Sequence, residues 1–359
     1  MIARNSSFTY KGRALDVKQV GRELGVRYVL EGSVRKAGAR VRVTAQLIEA
    51  ATGGHLWAER YDRDLSDIFA VQDEITASVS AAILPSVERN ERERAARKPP
   101  DSLDAWETYH RGMWHVFKVN AGDNQRAREL FERTLQIDPG LATAWGGLAL
   151  TSLMDGWLYR ATENRASTVS TASDCAHKCL ALDPSDAVGH FVLATALLML
   201  GRHAEGTAEA ELCVTHNPNH AWGYAVLGGI RAFGGRPAEA FEPLENALRL
   251  SPFDPLEYFW RHWISRAHYW SGDYEAAAVV ARRVWRSHLQ VHAAARTLIA
   301  ALGQLGRRDE AHKVVAELIK QFGETHFREI LVLHPAETRD EDHRHLLDGY
   351  RKAGALADG

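Results

Sequence analysis

Near residue 100 the spacing of apolar positions changes from two to between three and four. Over residues 26–48, Val26, Tyr28, Leu30 and Val34 fall on one side and Arg27, Glu31 and Arg35 on the other. After "KAGAR", Val41, Val43, Ala45 and Leu47 alternate with Arg40, Arg42, Thr44 and Gln46. A period of two around a glycine-containing turn predicts a β-hairpin with one solvated face. "ATGGH" makes a second turn leading to a third strand at 56–61. Upstream, "LDVKQVGRELG" reads as a short helix over 16–24, stopped by Gly25. Downstream, Ser66 caps a helix, "DIFAVQDEITASVSAAI", that ends against Pro85 and the charged stretch "ERNERERAARKPP". Helix, hairpin, strand and helix make a small α+β domain over 1–96, with 97–103 as a linker.

Beyond it the pattern is helical and repeats. "GRHAEG", "GRPAEA", "GDYEAA" and "GRRDEA" begin at Gly201, Gly235, Gly272 and Gly306, spaced by 34, 37 and 34 residues. Pro184, Pro218 and Pro252 keep the same 34-residue step, and "GDNQRA" at Gly122 supplies an earlier copy. The clearest copy, 221–254, shows the logic. Tyr224, Leu227 and Gly228 share a face of a first helix, and Ala240, Leu244 and Ala247 answer from a second. Gly234 and Gly235 supply the turn, where positive φ costs little. Pro252 stops the second helix, lacking the N–H that would continue it.

Other copies are looser. Gly206 and Cys213 stand where Ala240 and Ala247 do, "DGWLYRATENRASTVSTA" reads as an insertion between two helices, and the copy at 256–289 lacks its closing proline. Five or six helix pairs over 104–322, then a helical tail over 323–359, predict a mostly α chain: an α-solenoid preceded by a small, partial α+β domain.

A 34-residue unit with a mid-repeat glycine turn and a terminal proline resembles the tetratricopeptide repeat. That resemblance implies a concave groove lined by first helices and occupied by a protein or peptide partner. The register, counted from Ala277 as the equivalent of Ala240, places Phe191, Trp222, Phe259, His262, Arg266, Tyr269 and Arg296 in that groove. Arginine, histidine and aromatic side chains there suit an acidic or aromatic peptide. The repeats that clamp a terminal carboxylate use lysine and asparagine at positions held here by Phe191 and Thr195, which argues against that specialised role.

At the front, "IARNSSFTYKG", "VGRELGVRYVLEGSVRKAG" and "RVTAQLIEAATGGHLWAERYDRDLSDIFAVQDEI" resemble the TolB amino-terminal-like module. That module precedes tetratricopeptide repeats in bacterial class III adenylyl cyclases and in some winged-helix regulators. The closing "HLLDGYRKAGA" resembles the carboxyl end of the same proteins. The resemblance implies the regulatory half of an adenylyl cyclase-type signalling protein, without a cyclase domain and not itself an enzyme. It implies entry into the module part-way, at Ile2, beside an unpaired strand position. The alternatives are an accessory part of a winged-helix transcriptional regulator and an inactive remnant of a cyclase gene. A cyclase or DNA-binding effector would then be a separate partner.

Composition narrows this picture without redirecting it. The 359 residues carry a formal charge of −2, too little to draw the whole chain to nucleic acid or membranes. No apolar run reaches the roughly 20 residues of a membrane span, and the start lacks a signal-peptide core. The sequon at Asn5 therefore carries no weight. Three cysteines, Cys175, Cys179 and Cys213, are too sparse for a disulfide framework and point to a reducing, cytoplasmic setting.

Candidate chemistry is thin, and no cofactor or metal is expected. Cys175 and Cys179 share a helix face, but His177 points elsewhere and no second ligand pair follows. Asp67 and Asp73 read as capping or solvated carboxylates rather than magnesium ligands. His343 and His345, two apart, read as exposed. P-loop, zinc-protease and serine-hydrolase motifs are absent. "EYFWRHWISRAHYW", 257–270, mixes basic and aromatic residues as single-strand nucleic-acid binders do, yet Trp260, Trp263, Ile264 and Ala267 fit a buried helical stripe. Arg35, Lys36, Arg40 and Arg42 form the second candidate surface, a positive hairpin face for an acidic partner.

Overall fold

The computed structural model describes residues 16–38, 40–64, 68–97, 103–159, 165–288, 292–333 and 338–356. The chain divides into two compact units, Met1–Leu103 and Asp104–Gly359. The first strand expected at Ile2, the Asn5 sequon, the Ser66 cap and most of the 97–103 linker lie outside the described residues.

In the first unit, Asp16 caps helix α1 (Val17–Leu24) by accepting the Lys18 N–H at 3.0 Å, and Gly25 ends it at φ 64°. Strands β1 (Tyr28–Ala37), β2 (Arg40–Glu49) and β3 (Gly54–Asp64) form one antiparallel sheet in that order. Val41, Ala45, Leu47 and Tyr61 are buried on one face. Leu30 and Val34, expected to be buried with them, pair with Leu47 and Val43 yet stay 48% and 71% exposed. They sit on edge strand β1, whereas the helix that follows the sheet packs on β3.

That helix, α2 (Ile68–Arg97), overturns another expectation, because it runs straight through Pro85. A proline inside a helix costs about 3 kcal/mol in a bare peptide. Here the turns beyond it are tied to the sheet. Arg27 pairs with Glu91 at 2.6 Å, Tyr28 donates to the same carboxylate, and Asn90 donates to Glu49 at 3.0 Å. The charged stretch therefore continues the helix instead of leaving it.

The second unit contains six helix hairpins among the described residues: α3 (Ala105–Val116) with α4 (Ala121–Ile137), α5 (Ala142–Met154) with α6 (Arg165–Leu182), α7 (Ala187–Met199) with α8 (His203–His216), α9 (Ala221–Phe233) with α10 (Phe241–Leu250), α11 (Glu257–Trp270) with α12 (Tyr274–Ser287), and α13 (His292–Gln304) with α14 (Arg308–Phe322). They make an α-solenoid of tetratricopeptide hairpins. Gly201, Gly235, Gly272 and Gly306 turn the last four at φ 71–83°. A Cβ on Gly228 would lie 2.6 Å from Leu244 Cγ and 2.9 Å from the Ala240 carbonyl, so glycine sets how closely α9 and α10 approach. Each first helix also packs on the first helix of the next hairpin, giving a continuous inner face.

The run read as an insertion is mostly helical. Asp155–Tyr159 extends α5 as one π-helical turn, and 165–172 opens α6. After α14 come α15 (Glu324–Val332) and α16 (Asp340–Lys352); α16 packs on α13. Among the described residues, no helix is long and apolar enough to cross a membrane.

Candidate functional site

The inner face carries a cluster of aromatic rings that joins distant hairpins. Trp157, from the π turn after α5, stacks on Trp263 of α11 with centroids 5.9 Å apart and planes 14° from parallel. It also lies 5.2 Å from Phe259. Phe117, at the end of α3, reaches Trp222 of α9 at 6.0 Å, and Phe191 of α7 meets the same indole at 5.7 Å. Hairpin one thus touches hairpin four, and hairpin two touches hairpin five. The trough is short and narrowed rather than open along its length.

Local chemistry sets these rings. The π turn starts at buried Asp155, held by Asn124 at 2.8 Å and by Arg128 at 2.8 Å, both on α4. The Trp222 indole N–H donates to Asp254 at 2.9 Å. Asp254 is buried and also accepts from Ser251 and from the Leu256 N–H; burial pushes its carboxyl above the usual range. Between the rings lies an apolar cleft lined by Leu153, Met154, Phe191, Val226, Trp260 and neighbours. Its volume is about 390 Å³, the open mouth included. Trp157 and Trp222, which line it, are half-buried, as is Phe259, which packs on Trp157 outside the lining; Phe117 is 42% exposed.

Further along the face lie His262, Arg266, His292 and Arg296. His262, Arg266 and Arg296 are all buried. Burial, with Arg266, Arg296 and His292 nearby, holds the His262 imidazole well below its ordinary pKa; burial and Arg296 bring His292 to about 4. The Arg266 guanidinium lies over the Trp270 ring at 5.6 Å, and Arg296 donates to the Leu333 carbonyl at 3.0 Å.

Beyond this cluster the face is occupied by the chain itself. Tyr269 is fully buried, donating to the His345 carbonyl of α16 at 2.8 Å. Gln304 donates to Asp348 at 2.9 Å and accepts from Lys352 at 2.8 Å. A Cβ on Gly349 would sit 2.6 Å from Tyr269 Oη and 2.8 Å from the Ala300 carbonyl.

The seven sequence-chosen groove residues therefore have different fates. Phe191 and Trp222 line the aromatic cleft and Phe259 packs on Trp157 beside it; His262, Arg266 and Arg296 form a buried basic cluster; Tyr269 is sealed under α16. His343 and His345, expected to be exposed, are buried and half-buried respectively because α16 lies on the inner face. The hairpin surface is also different from the one expected. Cross-strand pairing sets Arg35 opposite Arg42 but Lys36 opposite Val41, so Lys36 projects from the other face. Arg42 is bonded to Asp62 at 2.6 Å and Arg40 lies 3.8 Å from Asp64, which cancels much of the positive charge.

Cys179 and Cys213 are buried, and burial raises both thiols, making them small packing groups. Asp67 lies outside the described residues. Among the described residues, no three His, Cys, Asp or Glu side chains gather as a metal site. Register did not single out Trp157 and Phe117, because Trp157 lies in the run read as an insertion and Phe117 follows the last residue of its helix.

No protein-family model matches the chain. Its sequence is 43% identical over 205 residues to a Rhizobium meliloti (strain 1021) protein provisionally named adenylate cyclase 3. The match covers 56% of this chain but 34% of that relative's length, so this chain corresponds to about a third of it. Among solved structures, the Cut9–Hcn1 hetero-tetramer of the APC/C superposes with a TM-score of 0.53 at 12% identity, covering 77% of this chain and 47% of that one. A monomeric IFIT1 mutant with Gppp-AAAA gives 0.52 at 16% identity, covering 75% and 63%. Both similarities concern the fold alone.

Proposed function

We propose that this chain is a non-catalytic interaction module whose partner inserts one or two apolar or aromatic side chains into the cleft between hairpins two and five. Half-buried Trp157 and Trp222 lining an apolar recess, with half-buried Phe259 packed on Trp157, carry this reading. Trp222 is fixed in advance by Asp254, so little side-chain freedom is lost on binding. Aromatic anchors in partly desolvated pockets carry most of the energy of such contacts. The narrowed trough favours a short anchor over a long extended peptide.

In this reading the chain serves as the regulatory part of an adenylyl cyclase-type protein, its first unit a TolB-like module over 1–96 and its setting cytoplasmic. The 43% identity to a protein provisionally named as a cyclase supports that context. Binding at the cleft would be coupled to an effector domain.

The test is selection of a displayed peptide library on the purified chain, with Trp222→Ala and Phe259→Ala variants as counter-baits. Sequences enriched on the parent chain and lost on both variants support the reading. Equal enrichment on all three contradicts it. Formation of cyclic AMP from ATP and magnesium by the same preparation would overturn the non-catalytic assignment.

A further inference from the structure

The first helices of hairpins five and six each carry a histidine and an arginine four residues apart: His262 and Arg266 on α11, His292 and Arg296 on α13. Residues at that spacing share a helix face, and α11 packs on α13. The side chains bear on one another across the seam between the two helices. The charged neighbours that act on His262 are Arg266, Arg296 and His292, and those that act on His292 are Arg296 and His326. Every one is a basic group, and no carboxylate stands among them.

Two of these side chains are buried with polar atoms left over. Arg296 is 3% exposed. Its Nη2 donates to the neutral Leu333 carbonyl at 3.0 Å, its Nε has no partner, and among the described residues it pairs with no carboxylate. His262 is 4% exposed, and its Nδ1 is without a partner as well. A buried charge that lacks both a counter-ion and a full set of hydrogen bonds is costly, so the group missing here is an anion. The cluster meets solvent on one side. His292 is half-buried, and the exposed His326 ring lies 6.4 Å from it. Glu329, 3.8 Å from His326, is exposed with it.

We propose that the seam between α11 and α13 is a binding site for one oxyanion group, phosphate or carboxylate, held by Arg296 Nε and His262 Nδ1 with Arg266 and His292 around it. Guanidinium N–H groups form charge-assisted bonds with either anion, and a neutral imidazole protonated at Nδ1 adds a donor. None of the four residues lines the aromatic cleft, so this site is additional to it and does not rest on it.

The experiment follows urea unfolding of the full chain at pH 7 in sodium phosphate or sodium acetate, against sodium chloride at the same ionic strength. A ligand of the folded state raises the midpoint with its concentration, and the titration yields a dissociation constant. Phosphate also stabilises proteins by exclusion from their surface, so the parent's gain is compared with that of Arg296→Gln and His262→Gln. The expected result is that one of the two anions stabilises the parent beyond chloride and binds each folded variant at least tenfold more weakly. The tighter anion identifies the source: phosphate points to a small phosphorylated ligand, acetate to a carboxylate of a protein partner. A parent that gains no more from either anion than from chloride overturns the proposal. So does less than tenfold weakening in either folded variant; if Arg296→Gln does not fold, His262→Gln decides alone. Neither probe carries an aromatic anchor, so the result is separate from whether library peptides bind the aromatic cleft.

Discussion

The indoles of Trp157 and Trp263 stack 5.9 Å apart although two whole hairpins lie between theirs along the solenoid. A stack of hairpins need only contact its neighbours. This pair, with Phe117 against Trp222, adds contacts across the inner face and holds hairpins one to five in one curvature.

Trp157→Ala should therefore lower stability beyond the loss of a half-exposed indole, by roughly 2 kcal/mol on the scale of aromatic truncations. Urea unfolding monitored by circular dichroism gives the midpoint. A midpoint equal to the parent's would mean that the cross-face contacts are incidental.

Gly228→Ala isolates the packing that defines the repeat. Alanine gains about 1 kcal/mol of helix propensity over glycine. Its Cβ would collide with the Ala240 carbonyl and Leu244, and overpacking costs about 1–3 kcal/mol. Since one of the two close atoms is a backbone oxygen and the other the branch carbon of a fully buried leucine, the collision should win and the chain lose stability. A stabilised variant would show that α9 and α10 have slack between them.

How much of this was visible in the residues depends on the distance over which each signal acts. Turn glycines and closing prolines are local and periodic, so the hairpins could be counted from them. The stop at Pro85 was misread because Glu91 and Asn90 hold the following turns to a sheet distant in sequence. Tyr269 and Arg296 occupy the register positions assigned to the groove, but periodicity says nothing about what covers them. In retrospect the small pair Gly303 and Gly349 marked a close backbone approach, a signal that only becomes legible once both helices are placed. Lys36 was assigned by proximity to Arg35, whereas the two-residue pleat sends adjacent side chains to opposite faces.

Histidine burial gives a pH dependence with a definite sign. His220 accepts the Gly223 N–H at 2.9 Å, and burial lowers its pKa from 6.5 to about 4; His292 is lowered to about 4 as well. Between those values the unfolded chain binds the extra protons, so stability is full above pH 6.5 and falls as pH drops towards 4. Each pKa unit is about 1.4 kcal/mol, so the loss per histidine by pH 5 is on the order of 1–2 kcal/mol. Urea midpoints at pH 7 and 5 measure it. His220→Asn, which retains an N-cap acceptor, should flatten the profile; an unchanged slope would place the titrating groups elsewhere.

The most direct test of the central claim is the affinity of a library-selected peptide for the parent chain and for Trp222→Ala and Phe259→Ala, measured by calorimetry on chains shown to be folded. If the aromatic cleft is the binding site, each truncation weakens binding at least tenfold, about 1.4 kcal/mol. Affinities that stay within twofold for both variants would contradict it.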